Sequence, residues 1–187
     1  MNHTLKIGYK NTLLRPIEEK DLESLRIWRN EIKTPFLKQI DYITPKIQKE
    51  WFESNNKDKY CYMFAIEEIC DLNRIVGSVG LYDVQGDTCE FGRLLIGDNE
   101  AHGRGIGYLA TTLVLYIGFK ELGFNKIIAD VHADNIAAIK CYTKAGFETV
   151  DKYIDKYNYE ILEISIKKDD FYRKHSFLDD FKIEYKN

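Results

Sequence analysis

The sequence predicts an α/β (α+β) chain: a mixed, mostly antiparallel twisted sheet of about seven strands flanked by helices. Two observations point there. Three successive apolar runs of strand length, YCYMFAIEE, RIVGSVGLYDV and CEFGRLLIG, are separated only by the short turn-like links DLN and QGDT, so they read as antiparallel neighbours. Around them, stretches of helical period alternate with further strand-like runs, the order of a mixed sheet.

Taken in order, Asn11 to Ile17 reads as a strand ending at Pro16, and EEKDLESLRIWRN then places Leu22, Leu25, Trp28 and Ile32 at helical spacing. Thr44 and Pro45 open a second amphipathic helix with Ile47, Trp51 and Phe52 on one side, Thr44 as N-cap and proline at the first helical position. The three strands follow. After them a glycine-rich segment leads into a helix running to about Leu122 and closed by Gly123, then the strand KIIADV, a helix from Asn135, a strand from Phe147 and the strand EILEISIKK. The last stretch, DDFYRKHSFLDDFKIEYKN, carries enough aromatic residues to dock rather than float.

The chain of 187 residues is 44% hydrophobic and 13% aromatic, which suits one domain over residues 1–187, with its core at about 11–168 and a tail at 169–187. Formal net charge is -3 and the charges are interspersed, so neither nucleic acid nor an anionic membrane is an expected partner. No apolar run approaches the roughly twenty residues of a membrane span, and MNHTLKIGYK lacks a signal peptide's apolar centre, so the expected location is cytoplasmic. Cys61, Cys70, Cys89 and Cys141 show neither a C-x-x-C pair nor a Cys/His cluster, and four such thiols fit a reducing compartment with no metal site. The sequence leaves a homodimer open.

The most informative segment is DNEAHGRGIGY, Asp98 to Tyr108, which sets Gly103, Gly105 and Gly107 between an apolar strand and an apolar helix. Glycines let consecutive amides turn inward, and the helix N-terminus adds partial positive charge, so such a loop is shaped to hold phosphate. A P-loop would need Lys and Ser/Thr after its last glycine, where Tyr108 and Leu109 stand. A dinucleotide fingerprint would need a glycine in place of Tyr108. A glycine turn that merely joins a strand to a helix stays open.

His102 to Gly107 resembles the acetyl-coenzyme A loop Q/R-x-x-G-x-G/A of the GCN5-related N-acetyltransferase (GNAT) family, with His102 departing from the family's Gln or Arg and Arg104 offering a cation beside the loop. The family's second signature, N-x-x-A-x-x-x-Y-x-x-x-G-F, is met by Asn135, Ala138, Tyr142, Gly146 and Phe147. The resemblance runs from about Leu13 to about Ile166 and implies acetyl-coenzyme A as cofactor. It implies a loop of His102, Gly103, Arg104, Gly105, Ile106, Gly107 and Tyr108 around the cofactor's pyrophosphate. Main-chain groups of the strand from Arg93 through Leu94, Leu95 and Ile96 would meet the pantetheine arm, as would the side chain of Asn135, and Ala138 and Tyr142 would be further cofactor contacts.

Transfer from a thioester to an amine needs a base for the ammonium, a donor for the oxyanion and an acid for the departing thiolate. Tyr142 matches the family's general acid, a phenol near pKa 10 facing a thiol near 8.5, although a helical tyrosine at this spacing also reads as core. Glu90, at the start of the strand leading to the loop, is the candidate base and also a candidate solvated strand residue. Asn135 reads equally as helix N-cap. Trp28-Arg29-Asn30, Phe36, Ile40, Trp51-Phe52 and CEFG at Cys89 to Gly92 resemble the branch acting on nucleotide-linked amino-deoxysugars. That likeness marks Trp28, Arg29, Phe36 and Glu90 as substrate residues, while the W-R-N pattern is shared more widely near the ribosomal-protein N-terminal acetyltransferases. Three readings follow: an acetyltransferase for a nucleotide-linked amino sugar, one for a protein N-terminus, and a catalytically silent acyl-coenzyme A binding module.

Overall fold

The computed structural model describes residues 3–37, 41–175 and 182–185. Its elements are β1 (Leu5–Tyr9), β2 (Thr12–Pro16), α1 (Leu22–Glu31), α2 (Pro45–Lys57), β3 (Tyr62–Glu68), β4 (Arg74–Gln85), β5 (Thr88–Ile96), α3 (Ile106–Lys120), β6 (Lys126–His132), α4 (Ile136–Ala145), β7 (Glu148–Ile154), β8 (Glu160–Lys167), α5 (Lys168–Lys174) and β9 (Lys182–Tyr185). Among the described residues the strands form one nine-stranded sheet in the order β7-β8-β6-β5-β4-β3-β2-β1-β9. All neighbours are antiparallel except β5 and β6, which α3 joins by a crossover. The fold is the mixed α/β architecture that the sequence predicts, with β1 and β9 in addition. The first hairpin escapes the sequence because its turn contains no glycine: Lys10 itself takes the left-handed φ of 54°.

Helices cover both faces. α3 is apolar all round and lies on one face, burying Leu113, Val114, Leu115, Ile117 and Phe119 completely among Phe64, Leu81, Phe91 and Ile127. Gly118 is the contact residue, since a Cβ there would meet Ile127 Cδ1 at 2.8 Å and Leu81 Cδ1 at 3.0 Å. On the opposite face α1 and α2 enclose a smaller core of Ile17, Leu25, Phe52, Cys61, Met63 and Ala65. At α2, Thr44 accepts a hydrogen bond from the Ile47 amide at 3.3 Å and Pro45 opens the helix. In the tail α5 buries Phe171 against Phe119, with ring centroids 5.2 Å apart.

Two irregularities shape the centre of the sheet. Between Gly80↔Gly92 and Ser78↔Leu95, β5 carries one more residue than β4, a bulge at which Arg93 adopts φ 54°. The bulge presses β5 so closely onto β4 that a Cβ on Gly77 would overlap the Leu95 carbonyl oxygen. Gly77→Ala is therefore expected to destabilise the fold by about 1–3 kcal/mol through forced backbone displacement, read as a lower denaturation midpoint in urea. The second irregularity is that β5 and β6 pair only over Thr88–Glu90 and Lys126–Ile128. Beyond Glu90 they part, leaving the β6-facing edge of Phe91 to Ile96 without a strand partner among the described residues.

Candidate active site

The opening between β5 and β6 is the core of the site, and the segment after β5 closes one end of it. Gly103 and Gly105 take φ of 76° and 75°, and a Cβ on either would have no atom within 4 Å. Gly105 is the N-cap of α3. The first backbone bond of that helix runs from the Leu109 amide to the Gly105 carbonyl, so the six amides of Gly103 to Tyr108 have no acceptor among the described residues. Unsatisfied amides on turns of left-handed φ, at the positive end of a 15-residue helix, form an anion cradle. Of its side chains, Ile106 is buried and Lys144 Nζ lies 4.3 Å from the Tyr108 ring centroid. Gly107 lies near Cys141 and Ile96, each 4.0 Å from an added Cβ.

The two flanking side chains are already engaged. His102 Nε2 lies 3.0 Å from the Ile96 carbonyl, fastening the loop to the end of β5. Arg104 donates to the Glu100 carbonyl and to Asp71, each at 2.7 Å. The cradle is thus built from main chain, with both side chains tying it in place.

α4 forms the other wall. Asn135 caps it, its Oδ1 accepting from the Ala138 amide at 3.1 Å, and Gly146 ends it with φ 111°. Ala138 and Tyr142 pack against the α3-side core. The Tyr142 ring meets Phe91 edge-on with centroids 5.2 Å apart and lies 6.0 Å from Phe147. Its hydroxyl has no hydrogen-bond partner among the described residues, and burial raises its pKa above the ordinary phenol value. Each signature residue from Asn135 to Phe147 therefore has a place: cap, small contact, buried phenol, helix stop and ring support.

Glu90 precedes Phe91, so strand alternation points it to the opposite face from Tyr142's ring contact. It is half-buried, accepts a hydrogen bond from Tyr82 Oη at 2.8 Å, and burial raises its pKa above the usual carboxylate range. The structure thus sets Glu90 and Tyr142 on opposite faces where β5 leaves β6.

On the Glu90 face lies a cavity of about 780 Å³, walled by Arg29, Phe36, Trp51, Tyr82 and Arg93 and floored by Leu94 and Leu95. The Phe36 ring also meets His132 at a tilt, with centroids 5.1 Å apart, and His132 meets Tyr159 likewise at 4.6 Å. Trp28 is not on the cavity wall; a Cβ on Gly97 would overlap its ring, so it buttresses the end of β5. Asn30 exchanges two hydrogen bonds of 2.9 Å with the backbone of Ile43. Of the other aromatic candidates, Trp51 lines the cavity, Phe52 is core, and Ile40 lies outside the described residues. Sequence reasoning missed Tyr82 and His132, and it took Arg93 for its main chain alone and missed the side chain on the cavity wall. For Tyr82 the only local sign was Gly92, a glycine inside a strand pattern, which marks a close approach.

A family model described as an acetyltransferase (GNAT) domain matches residues 11–148. The chain belongs to the GNAT acetyltransferases. It is therefore an acetyl-coenzyme A-dependent acyltransferase, and the amide cradle fits the pyrophosphate of that cofactor. The uncharacterized protein MJ1062 of Methanocaldococcus jannaschii is 29% identical over 153 residues, 79% of this chain. The chain spans only 30% of that relative's length. Among solved structures, spermidine N-acetyltransferase from Vibrio cholerae, in complex with CoA and spermine, superimposes with a TM-score of 0.78 at 19% identity, over 86% of this chain and 98% of that one. FdhC, a nucleotide-linked sugar GNAT, superimposes with a TM-score of 0.76 at 24% identity, over 96% and 98% of the two chains. At these identities the GNAT domain shares the fold with both. Among its described residues no helix is long and apolar enough to cross a membrane.

Proposed function

We propose that this GNAT domain acetylates the amino group of a nucleotide-linked amino-deoxysugar, the 4-amino group of a 4-amino-4,6-dideoxysugar, by direct attack and without an acyl-enzyme. The observation that carries this reading is the charge of the cavity. Among the described residues its walls hold two cations, Arg29 and Arg93, against one carboxylate, Asp41. The hydrogen-bond partners of Arg93, Asn55 Oδ1 at 3.0 Å and the sulfurs of Cys61 and Met63 at 3.6 Å, are neutral and leave its charge in place. Such a pocket repels a polyamine and attracts an acceptor whose carrier group is anionic, as a nucleotide diphosphate is. The aromatic faces of Phe36 and Trp51 suit sugar and base. FdhC, a nucleotide-linked sugar GNAT by name, matches over 96% of the chain.

Acetyl-coenzyme A, when bound, presents the acyl thioester that is the electrophile of the reaction. The amides of Gly103 to Tyr108 and the N-terminus of α3 would hold its pyrophosphate, and the edge of Leu94 to Ile96 that β6 leaves uncovered would take the pantetheine arm. Asn135 spends its oxygen on the cap and keeps its amide donors for that arm. A main-chain NH near Leu94 or Leu95 would supply the donor for the thioester oxygen. Glu90 removes the ammonium proton, and its raised pKa brings the base closer to neutrality, so activity falls as pH drops through that value. Tyr142 would supply the proton for the departing sulfur. The same dry surroundings that weaken the phenol as an acid also make the thiolate a stronger base.

The test is a panel of acceptors assayed by thiol release. Fast release is expected with a nucleotide-linked 4-amino-4,6-dideoxysugar, and slow release at most with spermidine or with peptides bearing Ser or Ala N-termini. Arg29→Lys should raise KM for the sugar more than it lowers kcat, because lysine lacks the paired donors of the planar fork. Fast peptide acetylation with the sugar inert would give the site to protein N-termini. Tight cofactor binding with no release on any amine would make it a silent module.

A further inference from the structure

Glu90 does not line the acceptor cavity; Tyr82 does. The two are cross-strand partners on β4 and β5, and Tyr82 Oη reaches Glu90 Oε1 at 2.8 Å. The hydroxyl lies over Gly92, two residues beyond Glu90 on the same face, where any Cβ would overlap it. The ring is pinned by Arg93, whose guanidinium carbon lies 4.2 Å from its centroid and whose Nη1 is held by Asn55. A phenol clamped between the cavity and a half-buried carboxylate, with a glycine kept clear beneath its oxygen, is placed to carry a proton between them.

We propose that Tyr82 is a catalytic proton relay linking the acceptor amine in the cavity to Glu90. This rests on the reading of Glu90 as the base. In the step, an N–H bond of the acceptor ammonium breaks and its proton bonds to Tyr82 Oη as the hydroxyl's own proton passes to Glu90 Oε1. Tyr82 ends as it began, a neutral phenol; Glu90 becomes a neutral acid, and the amine keeps the electron pair with which it attacks. An ammonium and a carboxylate are both neutralised, which a site withdrawn from water favours. Because the hand-over is concerted, no tyrosinate forms, in keeping with a phenol whose ionisation burial and Glu90 both oppose. The other charges facing Glu90 are Asp83 on β4, Asp130 on β6 and Arg93 on β5, the two carboxylates holding its proton affinity up and the guanidinium opposing them. The CEFG segment thereby gains a physical reading: Glu90 accepts, Phe91 braces Tyr142, and Gly92 leaves room for Tyr82.

The test compares pH–rate profiles of the full chain, using whichever acceptor the parent turns over fastest among the dideoxysugar, spermidine and an Ala-terminated peptide. Tyr82→Phe keeps the ring and its contact with Arg93, and is expected to lower kcat by about 10²-fold at neutral pH. The deficit should shrink as alkaline pH deprotonates the amine unaided. Glu90→Gln should show the same profile, and the double variant should be no slower than the slower single one, as for residues acting as a unit. Gly92→Ala, which pushes the hydroxyl aside while keeping both residues, should reproduce part of the loss with the same alkaline recovery. If Tyr82→Phe keeps the parental profile while Glu90→Gln is impaired, the relay is overturned and the base stands. A parental profile for Glu90→Gln overturns both.

Discussion

Tyr142→Phe is expected to lower kcat about 10²-fold while leaving KM for acetyl-coenzyme A close to the parental value, since it removes a group that acts on the departing thiolate only. The substitution is structurally mild. The ring keeps its edge-on contact with Phe91 and its neighbour Phe147, and the lost hydroxyl has no partner among the described residues that would be left unsatisfied. Thermal stability should therefore hold, separating loss of chemistry from loss of fold. Single-turnover measurement of thiol release checks the result, because it isolates chemistry from product release. Parental single-turnover rates would return Tyr142 to the role of a core residue.

Gly105→Val is expected to abolish the rise in melting temperature that acetyl-coenzyme A gives the parent. A ligand bound only by the native state at a hundred times its Kd adds about 2.7 kcal/mol, so the shift to be lost is large. At φ 75° a valine carries strain of about 1–2 kcal/mol, and its branches project into the open space before the loop amides, where the pyrophosphate would sit. Strain alone is isolated by Gly123→Val just past the other end of α3, where φ is 76° and the space is equally open. That variant should lose comparable stability yet keep the cofactor-induced shift. A full shift in Gly105→Val would remove the loop from cofactor binding.

What was legible in the sequence was local. The strand, glycine loop and helix of residues 88–120 announce themselves within one window because period, glycine placement and helix start are short-range properties. The α4 signature is likewise a single helix with its cap and stop. What was not legible depends on register. Tyr82 meets Glu90 only because β4 and β5 pair as they do, and the Arg93 bulge has no composition of its own. β9 finds β1 across nearly the whole chain, a pairing that no local window contains. Trp28 illustrates the opposite error: an aromatic beside an arginine suggests a pocket wall, yet the ring packs on Gly97 while Arg29 faces the cavity.

The Trp-Arg-Asn tripeptide has a thermodynamic consequence. Trp28 leans on the point where β5 hands over to the phosphate cradle, and Asn30, half a turn on, closes a loop onto Ile43 on the wall of the acceptor cavity. One short helix is thus a common support for donor and acceptor sites. A ligand that drew α1 into a changed position would act on both sites at once, and linkage would then require the coupling to be equal in both directions. The measurement that reads such a shared strut is the affinity for each substrate with and without the other.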